Sequence, residues 1–174
     1  FFLIPLMLVI FGVLFYLLFS VITEEPTNIN QLLNKLETGS MRDKSNASYN
    51  LNKIFFDDQN KYDTIYRKRI IKIYNMTQSE YFLDSTLRLH AIMIMGNSGD
   101  SEFGSVLIKE LLSEDLKNAK FRIKAIESLG KLRYAKSSNS IHPFLGKEKL
   151  FLEKLAAAGA LGNIGNKSSI QPLI

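Results

Sequence analysis

From Phe1 to Ile22 the chain carries no charged side chain, whereas every later stretch mixes apolar and polar positions at helical spacing. As a helix rising 1.5 Å per residue, that uncharged run would reach roughly 33 Å, against about 30 Å of bilayer hydrocarbon. It is longer than a secretory h-region and ends without a small-residue cleavage site. Residues 1–22 are therefore expected to form a retained single-pass membrane anchor that contacts the lipid bilayer. Gly12 and Ser20 are its expected points of close approach to other membrane helices. Thr23, Glu24, Glu25 and Pro26 follow, with no Lys or Arg before Lys35, which leans the remainder toward the non-cytoplasmic, periplasmic side.

Beyond the anchor the apolar positions recur every three or four residues. In the segment 23–40, Ile29, Leu32, Leu33 and Leu36 form one stripe, so a short amphipathic helix is expected, capped by Thr27 or Asn28. Thr38-Gly39-Ser40 is a turn. Residues 41–78 read as a degenerate helix pair. Its first helix, Arg42 to Phe56, turns Ala47, Leu51, Ile54 and Phe55 inward, and its second runs from Tyr62 to Tyr74.

Residues 79–174 repeat themselves. A basic residue, an Ala three positions on, a large apolar residue and then Gly occur as Arg88/Ala91/Met95/Gly96, Arg122/Ala125/Leu129/Gly130 and Lys154/Ala157/Leu161/Gly162. On a helix the Ala and the large residue lie one above the other, so a neighbour can approach beside the small one. The Gly is expected to take the left-handed conformation that ends a helix. Phe103, Val106, Leu107 and Leu111 mark a second helix in the first copy, and Ile141, Phe144 and Leu145 in the second. Where the other copies have Gly99-Asp100 and Gly165-Asn166, the second has Arg133-Tyr134, so its turn is expected to be longer or differently shaped. Lys44, Ala47 and Leu51 echo the frame upstream, with Asn52 in place of Gly. A helix pair with one apolar side buries it only by stacking on another pair. The array is expected to continue beyond Ile174, because Ile170 to Ile174 begin a further helix.

This frame resembles the HEAT-like repeat of the phycobilisome-lyase type, over Ser79 to Ile174. The resemblance implies an all-α protein: here, one N-terminal transmembrane helix followed by an α-solenoid of helix pairs, seven or eight helices in the stack. It implies a protein-binding surface and does not imply lyase activity, because the repeat is an architecture and not a site. Similarity to bacterial anchored HEAT-repeat proteins implies a scaffold or accessory subunit in a membrane complex, such as a transporter, with other membrane-complex proteins as partners.

Composition adds little chemistry. There is no Cys, which excludes disulfides and thiolate metal sites, and the net charge of +5 is mild. Lys61, Arg67, Lys68, Arg69 and Lys72 form the densest basic cluster. It is a candidate partner-binding face, and the alternative function it offers is an anionic lipid- or nucleic-acid-binding solenoid. Nucleic acid is not the favoured partner, since nothing in the chain fills a glycosylase's catalytic role. His90 and His142 lie in different copies, without a carboxylate at metal-ligand spacing. Asp57-Asp58 reads as a loop and helix cap, and Glu110, Glu114 and Asp115 as the polar face of a helix. Arg88, Arg122 and Lys154 share one register and should contact the neighbouring unit's carbonyls or carboxylates. Gly96-Asn97-Ser98-Gly99 lacks the Lys-Ser or Lys-Thr of a phosphate loop. No catalytic residue, cofactor, metal or small-molecule substrate is expected, and the chain reads as a non-enzyme.

Overall fold

The computed structural model describes residues 3–23, 28–78, 85–112 and 116–165. Among them are nine α-helices and no strand. They are α1 (Leu3–Thr23), α2 (Ile29–Thr38), α3 (Met41–Asp57), α4 (Arg67–Met76), α5 (Ser85–Asn97), α6 (Gly104–Leu111), α7 (Ala119–Lys131), α8 (Ser138–Ile141) and α9 (Phe151–Ile164). The chain is all-α, as an α-solenoid requires.

Two layers run side by side. In the first, α3, α5, α7 and α9 each pack on the next. In the second, each helix packs on the first-layer helix that follows it in the chain: α2 on α3, α4 on α5, α6 on α7 and α8 on α9. One apolar core runs through all of them, from Leu32, Leu33 and Leu36 on α2 to Ala157 and Leu161 on α9. The repeat positions Ala91, Met95, Ala125, Leu129, Ala157 and Leu161 are all buried in it.

Local chemistry sets the helix ends. The Asn28 side chain accepts from the backbone N–H of Asn30 at 3.0 Å and starts α2. Ser40 and Asp43 exchange side-chain and backbone hydrogen bonds and start α3. The stretch expected as one helix from Tyr62 to Tyr74 instead opens with a 3-10 turn, Thr64–Tyr66, and continues as α4; another 3-10 turn, Gln59–Lys61, precedes it. Asp58 and Asp63 each accept from the backbone N–H two residues on, which favours those turns over continuous helix.

The repeat glycines do not end helices. Gly96 lies within α5 and Gly130 within α7, where each faces the next first-layer helix. A Cβ at Gly96 would sit 2.8 Å from Ser128 Cα, and one at Gly130 would sit 2.7 Å from Ala160 Cα. The left-handed residue comes three positions later in every copy: Gly99 (φ 72°), Arg133 (φ 48°) and Gly165 (φ 65°). The second copy therefore makes the same type of helix exit as the other two, with Arg where they have Gly. Its N–H groups still close back onto the helix, Leu132 to Ser128 at 3.0 Å and Tyr134 to Leu129 at 3.1 Å.

The membrane anchor is corrected. Among the described residues no helix is long and apolar enough to cross a membrane. A single-pass protein held in the bilayer by residues 1–22, with its array on the periplasmic side, is accordingly not supported. Gly12 has no side chain or backbone of another segment within 4 Å, and the side chain of Ser20 lies outside the described residues. Thr27, Glu114, Asp115 and Ile170 to Ile174 also lie outside them.

Three substitutions test the roles of the glycines and of the left-handed exit. Gly130→Ala should destabilise by about 1–3 kcal/mol, because Ala160 backbone must move. Gly162→Ala, which meets nothing within 4 Å, should stabilise by about 0.5–1 kcal/mol through helix propensity. Arg133→Gly should stabilise by roughly 1 kcal/mol, since the left-handed conformation costs a side chain about 1–2 kcal/mol and the Gly returns part of that as unfolded-state entropy. Urea denaturation midpoints at constant slope read out all three.

Candidate interaction surface

Two of the five residues of the basic cluster are engaged inside the array. Arg67 holds Asp100 with two hydrogen bonds, 2.6 Å from Nε and 3.0 Å from a terminal nitrogen, and Tyr62 donates to the same carboxylate at 2.7 Å. Asp100 also accepts from the N–H of Glu102, so one carboxylate ties α4 to the turn before α6. Arg69 reaches Glu37 at 3.0 and 3.2 Å and Asn34 at 2.6 Å, which ties α4 to α2. Lys61, Lys68 and Lys72 remain exposed. The five residues thus do not form one cationic face: the two arginines are structural ties, and the lysines flank them.

Titration behaviour follows from those ties. Hydrogen bonds from Arg69 hold the Glu37 carboxyl below its ordinary range, against a smaller effect of burial. At Asp100 burial works upward, but the bonds from Arg67, Tyr62 and the Glu102 N–H together outweigh it, and the carboxyl stays low. Burial, then the neighbouring Asp100, push the Tyr62 phenol far up.

Arg88, Arg122 and Lys154 each find an oxygen acceptor. Arg88 grips Glu110 of α6 at 2.8 and 3.0 Å, and Tyr74 of α4 donates to that carboxylate too. Arg122 on α7 donates to Glu153 on α9 at 2.8 Å, with both side chains buried. Lys154 donates to the Lys147 carbonyl at 2.8 Å. Glu110, expected on a polar helix face, is buried instead. The spacing that could have flagged it is Glu110 following Leu107, which puts it beside the apolar stripe. The two histidines stand apart: His90 Nδ1 lies 2.7 Å from Ser48 Oγ, while His142 Nε2 is buried without a partner. Among the described residues no group of three His, Cys, Asp or Glu is placed to hold a metal ion.

The surface that sequence reasoning missed lies on α9. Phe151, Leu152 and Leu155 are 74%, 58% and 60% exposed. Beside them a groove of about 410 Å³ runs between α7 and α9, floored by Ile123, Ala156, Gly159 and Ala160, with Glu127 and Lys131 at its rim. Contiguous exposed apolar surface with a polar rim is the mark of a contact site. Its signal was available in the apolar run Leu150-Phe151-Leu152, placed where the preceding copy has Asn118-Ala119-Lys120.

This geometry defines a two-layer helical repeat array whose exposed groups are arranged for contact. A family model described as PBS lyase HEAT-like repeat matches residues 154–174, which supports reading the chain as a HEAT-like repeat protein. No curated protein matches the chain.

Two measurements examine these ties. Glu153→Ala should cost about 3–5 kcal/mol, since it leaves Arg122 buried without its carboxylate, and Arg122→Met with Glu153→Leu should cost less than the single change. A double-mutant cycle by urea unfolding reads the coupling. Glu37 and Asp100 have folded values below their unfolded ones, so the unfolded chain takes up protons first as pH falls. Their stabilisation is present above about pH 4–5 and is lost on acidification through the folded values. Glu37→Gln with Asp100→Asn should therefore flatten the acid limb of a plot of unfolding midpoint against pH.

Proposed function

We propose that this chain is a protein-interaction scaffold, or an accessory subunit of a larger protein assembly, and that it is not an enzyme. The observation that carries the reading is the exposed apolar surface of Phe151, Leu152 and Leu155 on a HEAT-like helix array. HEAT-like repeats generally mediate contacts between proteins. A rigid stack with one contiguous core suits that role, because a preformed surface loses little conformational entropy on association.

Binding of anionic lipid or nucleic acid through the Lys61–Lys72 face is the weaker reading. Arg67 and Arg69 are already committed to Asp100 and Glu37, and the exposed lysines make a sparse patch.

The test is quantitative co-purification of the full chain and its Leu152→Asp, Leu155→Asp double variant, with helix content checked by circular dichroism. A partner retained by the parent should fall at least tenfold with the variant, with little change between 50 and 200 mM salt. Retention that is unchanged by the substitutions sinks the apolar-surface reading. A steep loss with salt would point to the charge-driven alternative.

A further inference from the structure

Two successive crossings of the array share a register but close differently. A 3-10 turn leads into each second-layer helix: Thr64–Tyr66 before α4, Ser101–Phe103 before α6 and Ala135–Ser137 before α8. Counted from those starts, Tyr74 on α4 matches Leu111 on α6. Glu110 on α6 matches Phe144, in the 3-10 turn His142–Leu145 that follows α8. The first-layer arginines match as well, Arg88 on α5 with Arg122 on α7.

At the earlier crossing polar groups fill the space between α4, α5 and α6. Glu110 grips Arg88 with both oxygens, at 2.8 and 3.0 Å, and accepts from the Tyr74 phenol. At the later crossing that carboxylate and phenol are replaced by Phe144 and Leu111. Arg122 takes its carboxylate from α9 instead, and Glu153 shares it: Oε1 accepts from Arg122 and Oε2 from the Leu150 N–H at 3.3 Å. Leu111, Phe144 and Arg122 line a pocket of about 330 Å³ there, joined by Ser140 and by Lys149, whose Nζ lies 5.4 Å from the Phe144 ring centre. Arg122 is only 4% exposed, so one cation is set into the wall itself. Among the described residues no carboxylate lines this pocket. Glu153 balances Arg122, and Lys149 leaves the site one positive charge in excess. The volume suits a small molecule, since binding clefts run from about 300 to 1,000 Å³.

We propose that this pocket binds a small organic monoanion, a carboxylate with an aliphatic or aromatic body. The head group stands beside Arg122 and Lys149 and accepts from the Ser140 hydroxyl, while the body lies against Leu111 and Phe144. Such a ligand supplies to the later crossing the charge that Glu110 supplies to the earlier one. The pocket shares no lining residue with the groove between α7 and α9, so this site and the scaffold reading can fail separately.

The test is amide NMR of the isotope-labelled full chain during titration with octanoate. Octanamide and acetate are the controls, one with the tail and no charge, the other with the charge and no tail. Octanoate should saturate at millimolar concentration and shift the amides of Ser140, Phe144 and Lys149. Each control should bind more weakly by roughly tenfold or more, since each lacks one half of the recognition. Lys149→Glu, a change at a half-buried position, should fold and weaken octanoate by roughly tenfold or more. Phe144→Glu, which puts a carboxylate where the earlier copy has Glu110, should abolish binding; should it not fold, Lys149→Glu decides alone. Equal affinity for either control, or binding untouched by Lys149→Glu or by folded Phe144→Glu, overturns the proposal. So does a failure to saturate, or saturation with shifts confined to Leu152 and Leu155.

Discussion

Close approach between first-layer helices is the constraint on which this fold depends. At the α5–α7 and α7–α9 crossings one helix contributes Gly and the other Ser or Ala, so backbones come nearer than larger side chains permit. Ser128 uses the proximity to donate to the Ile92 carbonyl at 3.1 Å. At α3–α5 the pattern changes. Asn52 occupies the Gly register, and the contact is a hydrogen bond to its Oδ1 from Asn97 at 2.8 Å. The upstream pair thus reaches the same stacking by a polar route, and Lys131 extends it by donating to Asn97 at 2.8 Å.

Charge reinforces what the small residues permit. The buried carboxylates Glu110 and Glu153 each answer an arginine, and Glu110 is also bonded by Tyr74, whose phenol is pushed far up by burial and by that carboxylate. Desolvating such groups is unfavourable unless every lone pair is met. Orientation is the gain: Arg122 and Glu153 pair at one relative placement of α7 and α9. Arg67 and Arg69 do the same for α4, and that is why the densest run of positive charge in the chain makes a poor open surface.

Much of this architecture was legible in the chain. Periodicity placed α2, α3 and the three repeat helices, and the spacing of Ala91, Ala125 and Ala157 gave the stacking order. Two features misled. A Gly at the end of an apolar stripe looks like a terminator, but at Gly96 and Gly130 it is a contact point. The terminators stand three residues on, where Arg133 hides the pattern by not being Gly. The run Phe1 to Ile22 read as a membrane anchor on hydropathy and length, and no described helix meets that standard. The cationic half of the ion pairs was legible in the shared register of Arg88 and Arg122, but their carboxylates were not, because Glu110 and Glu153 lie on other helices and no local spacing links them. The apolar surface on α9 was hidden for a related reason: Leu152 and Leu155 stand at core-like spacing in the sequence, and only the fold shows them exposed.

The Glu110 cluster has a bearing on how the molecule comes apart. One carboxylate bridges α4, α5 and α6, so a fluctuation that frees α4 takes the Tyr74 hydrogen bond from a buried carboxylate that Arg88 still holds, and this raises the energy of partial opening there. Among the described residues the Glu153 carboxylate makes a simpler tie, joining α9 to Arg122 of α7. Slow amide exchange should therefore concentrate where the three-way tie holds α4, α5 and α6 together.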